Sequence, residues 1–252
     1  MRRIFFVDLD DTLFHTPRKL PAPAGPDDSV AEAVAFDRNG APISYRRARQ
    51  RALFDWLSHE GEIVPTTGRN LDAFQRVRLP FTGHAICSFG GLIVTPAGVP
   101  EPRWHGRIAD QAASHRTALA DLVGQTLQLA AERAVDVRAC SVADAGLDLY
   151  VSVKHNREDS AALAAFAVEL QPALPSGWSM HLNDNNLAFM PAWLGKHHAV
   201  QWFVEHLMDR SAGPVLSVGV GDSLSDAPFM GVCDYALTPT RSQLFARWGP
   251  PA

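Results

Sequence analysis

A handful of widely separated residues have the types and spacing to handle a charged, oxygen-rich group. Asp8 and Asp10 stand one residue apart after the apolar run Ile4-Phe5-Phe6-Val7. Thr67 closes Ile63-Val64-Pro65-Thr66-Thr67. Asp222 and Asp226 follow Val215-Leu216-Ser217-Val218-Gly219-Val220-Gly221, and Lys196 lies ahead of that run. Asp8 and Asp10 on one turn bring two carboxylates within reach of one point, and Asp222 adds a third from another strand. Carboxylates this close repel and raise each other's pKa unless a cation intervenes. A set of oxygen ligands without His or Cys favours Mg²⁺ over zinc or copper, and Mg²⁺ usually keeps several waters and takes a phosphate oxygen as a further ligand. One ionised Asp can then attack phosphorus and form an aspartyl-phosphate. The other can protonate the leaving oxygen and later activate water. Lys196 and the Thr67 hydroxyl are suited to hold the phosphoryl oxygens through the transition state. The expected chemistry is Mg²⁺-dependent phosphoryl transfer.

These residues need elements that bring them together. Ile4 to Val7 has the continuous apolar text of a buried parallel strand, as do Ile63 to Thr67 and Val215 to Val220. All three end in polar residues, and open α/β sheets gather their active sites at the carboxyl ends of their strands. Ser44 is the expected N-cap of a helix running to about Glu60 and stopping at Gly61, with Leu53, Trp56 and Leu57 as its apolar stripe. A short helix is expected over 70–78, two strands at Ala85–Ser88 and Leu92–Val94 around Gly90-Gly91, and a helix over 197–209 behind Lys196. Residues 15 to 43 read as a long excursion, with a turn at Asp37-Arg38-Asn39-Gly40 between short extended pieces. The alternation of strands and helices predicts a parallel sheet covered on both faces.

From about 97 to 190 the rhythm changes. Residues 107 to 133 and 157 to 170 read as Ala-rich helices. Val137–Ser141 with Leu147–Lys154, and Trp178–Leu182 with Leu187–Met190, read as two hairpins turning at Ala143–Gly146 and Asn183–Asn186. The expected organisation is an α/β core over 1–84 and 191–252, with strands in 85–96 leading to an inserted α+β module over 97–190, in the order αββαββ. On the second module strand Leu147, Leu149, Val151 and Val153 alternate with Asp148, Tyr150, Ser152 and Lys154. On the third, Trp178, Met180 and Leu182 alternate with Ser179, His181 and Asn183. The apolar sets are expected to pack on the helices and leave the polar face open.

Four motifs in order resemble those of the haloacid dehalogenase superfamily of phosphatases: Asp8-x-Asp10-x-Thr12, Thr67, Lys196, and Gly221-Asp222-x-x-x-Asp226. The resemblance implies a Rossmann-like core with a central parallel sheet and helices on both faces. It also implies roles. Asp8 is the nucleophile and a Mg²⁺ ligand, and Asp10 the general acid/base whose backbone carbonyl is a second ligand. Thr67, Gly68 and Lys196 bind phosphate. Asp222 ligates Mg²⁺, with Asp226 in support through water or by orienting Lys196. Thr66 takes the role of Thr67 if the register slips by one. A carboxylate at Asp10 disfavours dehalogenation. The inserted module resembles the C2 cap in its smaller, IIB form, shared by Cof-type sugar phosphatases, sucrose-phosphate phosphatase, mannosyl-phosphoglycerate phosphatase and phosphomannomutase. Thr67-Gly68-Arg69 and Pro191-Ala192-Trp193-Leu194-Gly195-Lys196 fit that form, while the excursion at 15 to 43 is longer than it leads one to expect. The implied substrate is a small phosphate ester, for which a sugar phosphate is the leading class, with Arg69, Tyr150, Ser152, Lys154 and His181 as candidate contacts. A phosphomutase and a non-catalytic phosphate-binding protein are the alternatives.

Bulk composition agrees with this and excludes other classes. The chain has 252 residues, 46% hydrophobic and 20% charged, with a net charge of −4, which offers no electrostatic footprint for nucleic acid or an anionic membrane. Its 3 cysteines, Cys87, Cys140 and Cys233, are far apart and suit buried thiols in a reducing compartment. Asp8 interrupts the first apolar run too soon for a signal peptide, and no apolar stretch approaches a membrane span. A soluble cytoplasmic protein, monomer or homodimer, is expected. Gly219-Val220-Gly221 lacks the full dinucleotide fingerprint, and adjacent His197 and His198 point apart on a helix, so neither predicts a cofactor or metal site.

Overall fold

The computed structural model describes residues 1–23, 25, 28–211 and 213–248. The chain divides into two units, Met1–Glu101 with Lys196–Ala252, and Pro102–Gly195. The first opens with strand β1 (Arg2–Val7), followed by β2 (Glu32–Phe36), β3 (Pro42–Arg46), helix α1 (Ala48–Glu60), β4 (Glu62–Pro65), α2 (Leu71–Phe74), β5 (Ala85–Cys87) and β6 (Leu92–Val94). The second consists of α3 (Pro102–Glu132), β7 (Val137–Asp144), β8 (Leu147–His155), α4 (Ser160–Leu170), β9 (Ser179–Asn183) and β10 (Asn186–Met190), an αββαββ order. The chain returns to the first unit with α5 (Lys196–His206), β11 (Val215–Val220), α6 (Ala227–Met230), β12 (Tyr235–Leu237) and α7 (Gln243–Trp248).

β1 is apolar on both faces because it runs through the middle of a parallel sheet ordered β12-β11-β1-β4. Phe5 and Val7 join one core cluster with Leu9, Phe14, Phe54 and Leu57, while Phe6 packs edge-on against Phe203 of α5 with ring centroids 5.3 Å apart. Burying each such ring stabilises the fold by roughly 2–3 kcal/mol. The register has a direct consequence for chemistry. Val7 pairs with Val220 on one side and with Pro65 on the other. Three strands therefore end at one level, and Asp8, Thr66 and Gly221 leave the sheet side by side. The ladder continues one step past the strands, with Asp8 N–H donating to Val220 O at 2.8 Å and Thr66 N–H to Val7 O at 2.8 Å. A parallel bridge between Thr66 and Ile86 then adds the β5–β6 hairpin beyond β4.

The excursion folds as an antiparallel hairpin of β2 and β3, with the expected turn at Asp37–Gly40, where the Asp37 carboxylate accepts from Asn39 N–H and Ala41 N–H, each at 2.8 Å. Val34 and Ala35 carry it into the main core. Ser44 is not a helix cap. It pairs with Ala35 within β3 and is buried, and α1 starts later because its first donors find more distant partners: Arg47 N–H bonds the Gln50 side chain at 2.7 Å and Ala48 N–H bonds Asp28 at 2.8 Å. Phe54 and Leu57 of this helix are buried and Leu53 flanks them, whereas Trp56, expected on the apolar stripe, is 51% exposed. α2 is shorter than 70–78 because Phe36 N–H donates to Arg76 O and Arg78 N–H to Val34 O, which commits those backbone groups to β2. Lys196 is itself the first residue of α5, which ends at His206 rather than 209.

The second unit is an antiparallel sheet ordered β7-β8-β10-β9. Leu119 and Leu122 of α3 and Phe166 of α4 pack with Val151, Val153, Leu187 and Phe189, while Trp178, Met180 and Leu182 lie against the same cluster. Ala145 (φ 47°) and Gly146 (φ 82°) make the two-residue turn between β7 and β8, the backbone of a hairpin with matching strand twist. Among the described residues no helix is long and apolar enough to cross a membrane.

Candidate active site

The residues at the level strand ends of the first unit converge. Asp8 is 5% exposed, Lys196 6%, Asp222 7% and Asp226 0%, so four charges share one nearly dry site. Lys196 Nζ donates to Asp8 Oδ1 at 2.6 Å and to Asp226 Oδ1 at 2.7 Å. Burial by itself lowers an ammonium pKa, but the two flanking carboxylates reverse that and hold Lys196 above its ordinary value. Thr12 Oγ1 lies 3.2 Å from both Asp8 Oδ2 and Asp222 Oδ1, so its single proton can serve either carboxylate.

Asp226 is fully engaged. One oxygen takes Lys196, and the other accepts from Ser223 N–H at 3.0 Å, Ser223 Oγ at 2.7 Å and Asp222 N–H at 3.3 Å. Burial works to raise its pKa, yet Lys196 and Ser223 keep it below the usual carboxylate range. Its geometry is that of a brace for Lys196 and for the turn carrying Asp222, rather than of an open ligand. Gly221 permits this turn, because a Cβ there would sit 2.6 Å from the Asp226 Cβ. Ser223 and Thr12 brace these carboxylates, and the local signal for them is slight: a hydroxyl next to Asp222 and another two residues after Asp10.

The site fits a divalent cation. Asp8 and Asp222 offer oxygens to it, and these and an oxygen of the bracing Asp226 all lie within 4.8 Å of one another. Burial and the neighbouring Asp226 push Asp222 up to about 7, and burial likewise raises Asp8 well above its ordinary value despite Lys196. Two carboxylates strained toward protonation are what a site built around an additional positive charge shows when only its own residues are counted.

Asp10 and Arg69 form a second pair beside the first. Arg69 Nε and Nη2 grip the two oxygens of Asp10 at 2.7 and 2.6 Å, and the guanidinium lies 5.2 Å from the Phe14 ring centroid. Such a fork-to-fork pair fixes orientation as well as charge. Burial alone lowers the Arg69 pKa, and Asp10 more than compensates. Arg69, expected to touch substrate, is thus committed to Asp10. Thr67 Oγ1 accepts from Arg69 N–H at 3.1 Å, which leaves its proton available to a ligand, whereas Thr66 donates its hydroxyl to Val64 O at 3.1 Å.

Tyr150, Ser152, Lys154 and His181 belong to the other unit. Cys140, Ser152, Ala188 and His181 form one row across its sheet, and Lys154 stands opposite Arg138. Ser152 donates to Asn186 at 3.3 Å. Tyr150 does not sit on an open polar face. It stands opposite apolar Val142, is 7% exposed, and burial pushes its phenol well above the ordinary value.

No protein-family model and no curated relative matches the sequence. Solved structures do match its fold. The C-terminal domain of Candida albicans trehalose-6-phosphate phosphatase superposes with a TM-score of 0.57 at 14% identity, covering 92% of this chain and 73% of that one. The sucrose-phosphatase of Synechocystis, solved with sucrose and phosphate, gives 0.56 at 15% identity, covering 98% and 87%. The IMP-nucleotidase of Plasmodium falciparum gives 0.58 at 11% identity, covering 98% and 66%. With its parallel sheet, level strand ends and αββαββ insertion, the chain has the haloacid dehalogenase-like hydrolase fold.

Proposed function

We propose that this chain is a phosphatase of the haloacid dehalogenase type that hydrolyses a small phosphomonoester through an aspartyl-phosphate on Asp8. The observation that carries the reading is the buried Lys196 held between Asp8 and Asp226, with Asp222 beside them. A structural ion pair needs one carboxylate for one ammonium; three buried carboxylates around one lysine are an expensive arrangement unless a cation and an anionic substrate complete it.

Asp8, Asp222 and the backbone carbonyl of Asp10 would hold Mg²⁺, which when bound supplies charge neutralisation for the phosphoryl oxygens. An Asp8 oxygen forms a bond to phosphorus as the ester oxygen departs. The departing oxygen takes its proton from Asp10. Asp10 then removes a proton from water, the water oxygen bonds phosphorus, and Asp8 is released with inorganic phosphate. Lys196, Thr67 and Gly68 bind the phosphoryl group, and Lys196 holds Asp8 aimed at phosphorus. Arg69 keeps the Asp10 carboxylate in one orientation and yields a contact when Asp10 carries its proton. Ser152, Lys154 and His181 are the candidate contacts for the leaving group. Sugar phosphates are the first class to screen, since the sucrose-phosphatase and trehalose-6-phosphate phosphatase share this fold.

The test is inorganic phosphate release from 4-nitrophenyl phosphate and a panel of sugar phosphates, with and without Mg²⁺. Wild type is expected to turn over only with the metal, and Asp8→Asn to lose at least about a thousandfold while keeping its circular dichroism spectrum. Retained activity in Asp8→Asn overturns the mechanism, and transfer to a second sugar hydroxyl in place of phosphate release identifies a mutase.

A further inference from the structure

Directly after β5, Ser88, Phe89 and Gly90 adopt φ of 51°, 55° and 94° in succession. Two of these are L residues in the left-handed region, and both are buried, Ser88 at 0% and Phe89 at 6% exposure. Backbone of this kind persists only where surrounding structure over-determines it, and it collects at functional sites. Two of its backbone amides donate to one segment. Ser88 N–H donates to Arg69 O at 2.7 Å and Phe89 N–H to Thr67 O at 3.1 Å, while Thr67 N–H donates to Ile86 O at 2.8 Å. Between those two carbonyls the Phe89 ring lies against Gly68, where a Cβ would come 2.5 Å from Cζ and 2.6 Å from Cε1. Gly68 does not itself have a left-handed φ, so the ring, and not backbone conformation, is what excludes a side chain at 68.

Resting on the phosphatase reading above, we infer that Phe89 is a positioning residue, the strained 88–90 tract acting as a clamp on Thr67-Gly68-Arg69. An ordinary extended exit from β5 would aim the amides of 88 and 89 elsewhere; the left-handed turn aims both at the same three-residue loop. Through that loop the clamp governs two groups. It places the Thr67 hydroxyl for the phosphoryl group, and it fixes the root of Arg69, whose guanidinium in turn orients Asp10. A displaced clamp therefore misplaces the proton donor as well as the phosphate contact.

The experiment compares wild type, Phe89→Leu, Gly68→Ala and the double variant Gly68→Ala/Phe89→Leu. Leucine keeps apolar bulk but removes the ring edge that meets residue 68. The readouts are kcat/KM with 4-nitrophenyl phosphate and with an alkyl phosphate such as glucose 6-phosphate, inorganic phosphate affinity by calorimetry, and Tm. An aryl leaving group departs without much help, whereas an alkyl oxygen needs its proton. Phe89→Leu is expected to lose about tenfold more kcat/KM on the alkyl ester than on the aryl ester, because general-acid help is worth 10²–10⁴-fold when well placed. Gly68→Ala is expected to weaken phosphate binding about tenfold, and the double variant to recover most of it. A merely structural role lowers Tm and scales both esters equally; that result, or no recovery in the double variant, overturns the inference. Failure of wild type to hydrolyse either ester sinks the phosphatase reading alone, and phosphate affinity across the four proteins still decides the clamp.

Discussion

Lys196 and Lys154 lie one in each unit and respond to burial in opposite ways. Burial depresses both ammonium groups. At Lys196 the carboxylates of Asp226 and Asp8 overcome the depression, whereas at Lys154 the neighbouring Arg138 deepens it. The difference follows from sheet type. In the parallel sheet of the first unit, Val7, Pro65 and Val220 stand level, so three loops deliver polar side chains to one point. In the antiparallel sheet of the second, polar residues occupy alternate positions and neighbouring strands, which spreads them over a face, Ser152 and His181 in one row and Lys154 in another. The first arrangement concentrates charge enough to do chemistry on a substrate. The second leaves its polar side chains dispersed.

That contrast can be broken most directly at the two lysines. Lys196→Met leaves Asp8 and Asp226 buried without the ammonium that bonds both and is expected to cost about 3–5 kcal/mol in urea denaturation. Lys154→Met should stay within about 0.5 kcal/mol, since Lys154 forms no salt bridge among the described residues and Glu158 acts on it more weakly than burial and Arg138 do. Equal losses would mean that the two units hold charge in the same way. Metal dependence sharpens the same point. Adding Mg²⁺ at about 100 times its Kd should stabilise wild type by about 2.7 kcal/mol, seen as a rise in Tm. Asp222→Asn should lose that rise and Lys154→Met should keep it; a rise that survives in Asp222→Asn places the metal elsewhere. Next in size, Lys154→Ala and His181→Ala should change preference across a panel of phosphate esters several-fold, about 1 kcal/mol, with 4-nitrophenyl phosphate nearly unaffected. An unchanged preference removes these two residues from substrate recognition.

The smallest effect belongs to an exposed carboxylate at the far edge of the parallel sheet. Asp234 accepts from Ser217 N–H and Oγ, both at 2.8 Å, and these bonds hold its pKa below the ordinary carboxylate value. A depressed folded-state pKa gives stability that is present above the unfolded value and lost as pH falls through the folded one. Asp234→Asn should therefore be less stable than wild type at pH 7, by under about 1 kcal/mol after solvent screening, with the gap closing below about pH 4. A gap that is constant with pH would assign the loss to shape rather than charge.

Much of the architecture was legible because its signals were local. The strands of the parallel sheet announced themselves as apolar runs ending in acids, and the four-strand module as alternating text around short turns. The errors lie where a distant partner decided a local choice. Ser44 looks like a cap by type, yet Asp28 and Gln50 start α1 later, and its backbone belongs to β3. Tyr150 follows the alternation but is buried opposite Val142. Arg69 was legible as a charged residue beside Thr67, though not as the partner of Asp10, which lies 59 positions away in sequence.

By itself, then, the sequence determined which residue types stand at which strand ends, because apolar periodicity and side-chain chemistry are properties of short segments. Only the tertiary structure decided which of them share a charge. Lys196 reaches Asp8 across 188 positions and Thr12 reaches Asp222 across 210, and contacts of that span depend on register and burial, which no local pattern encodes.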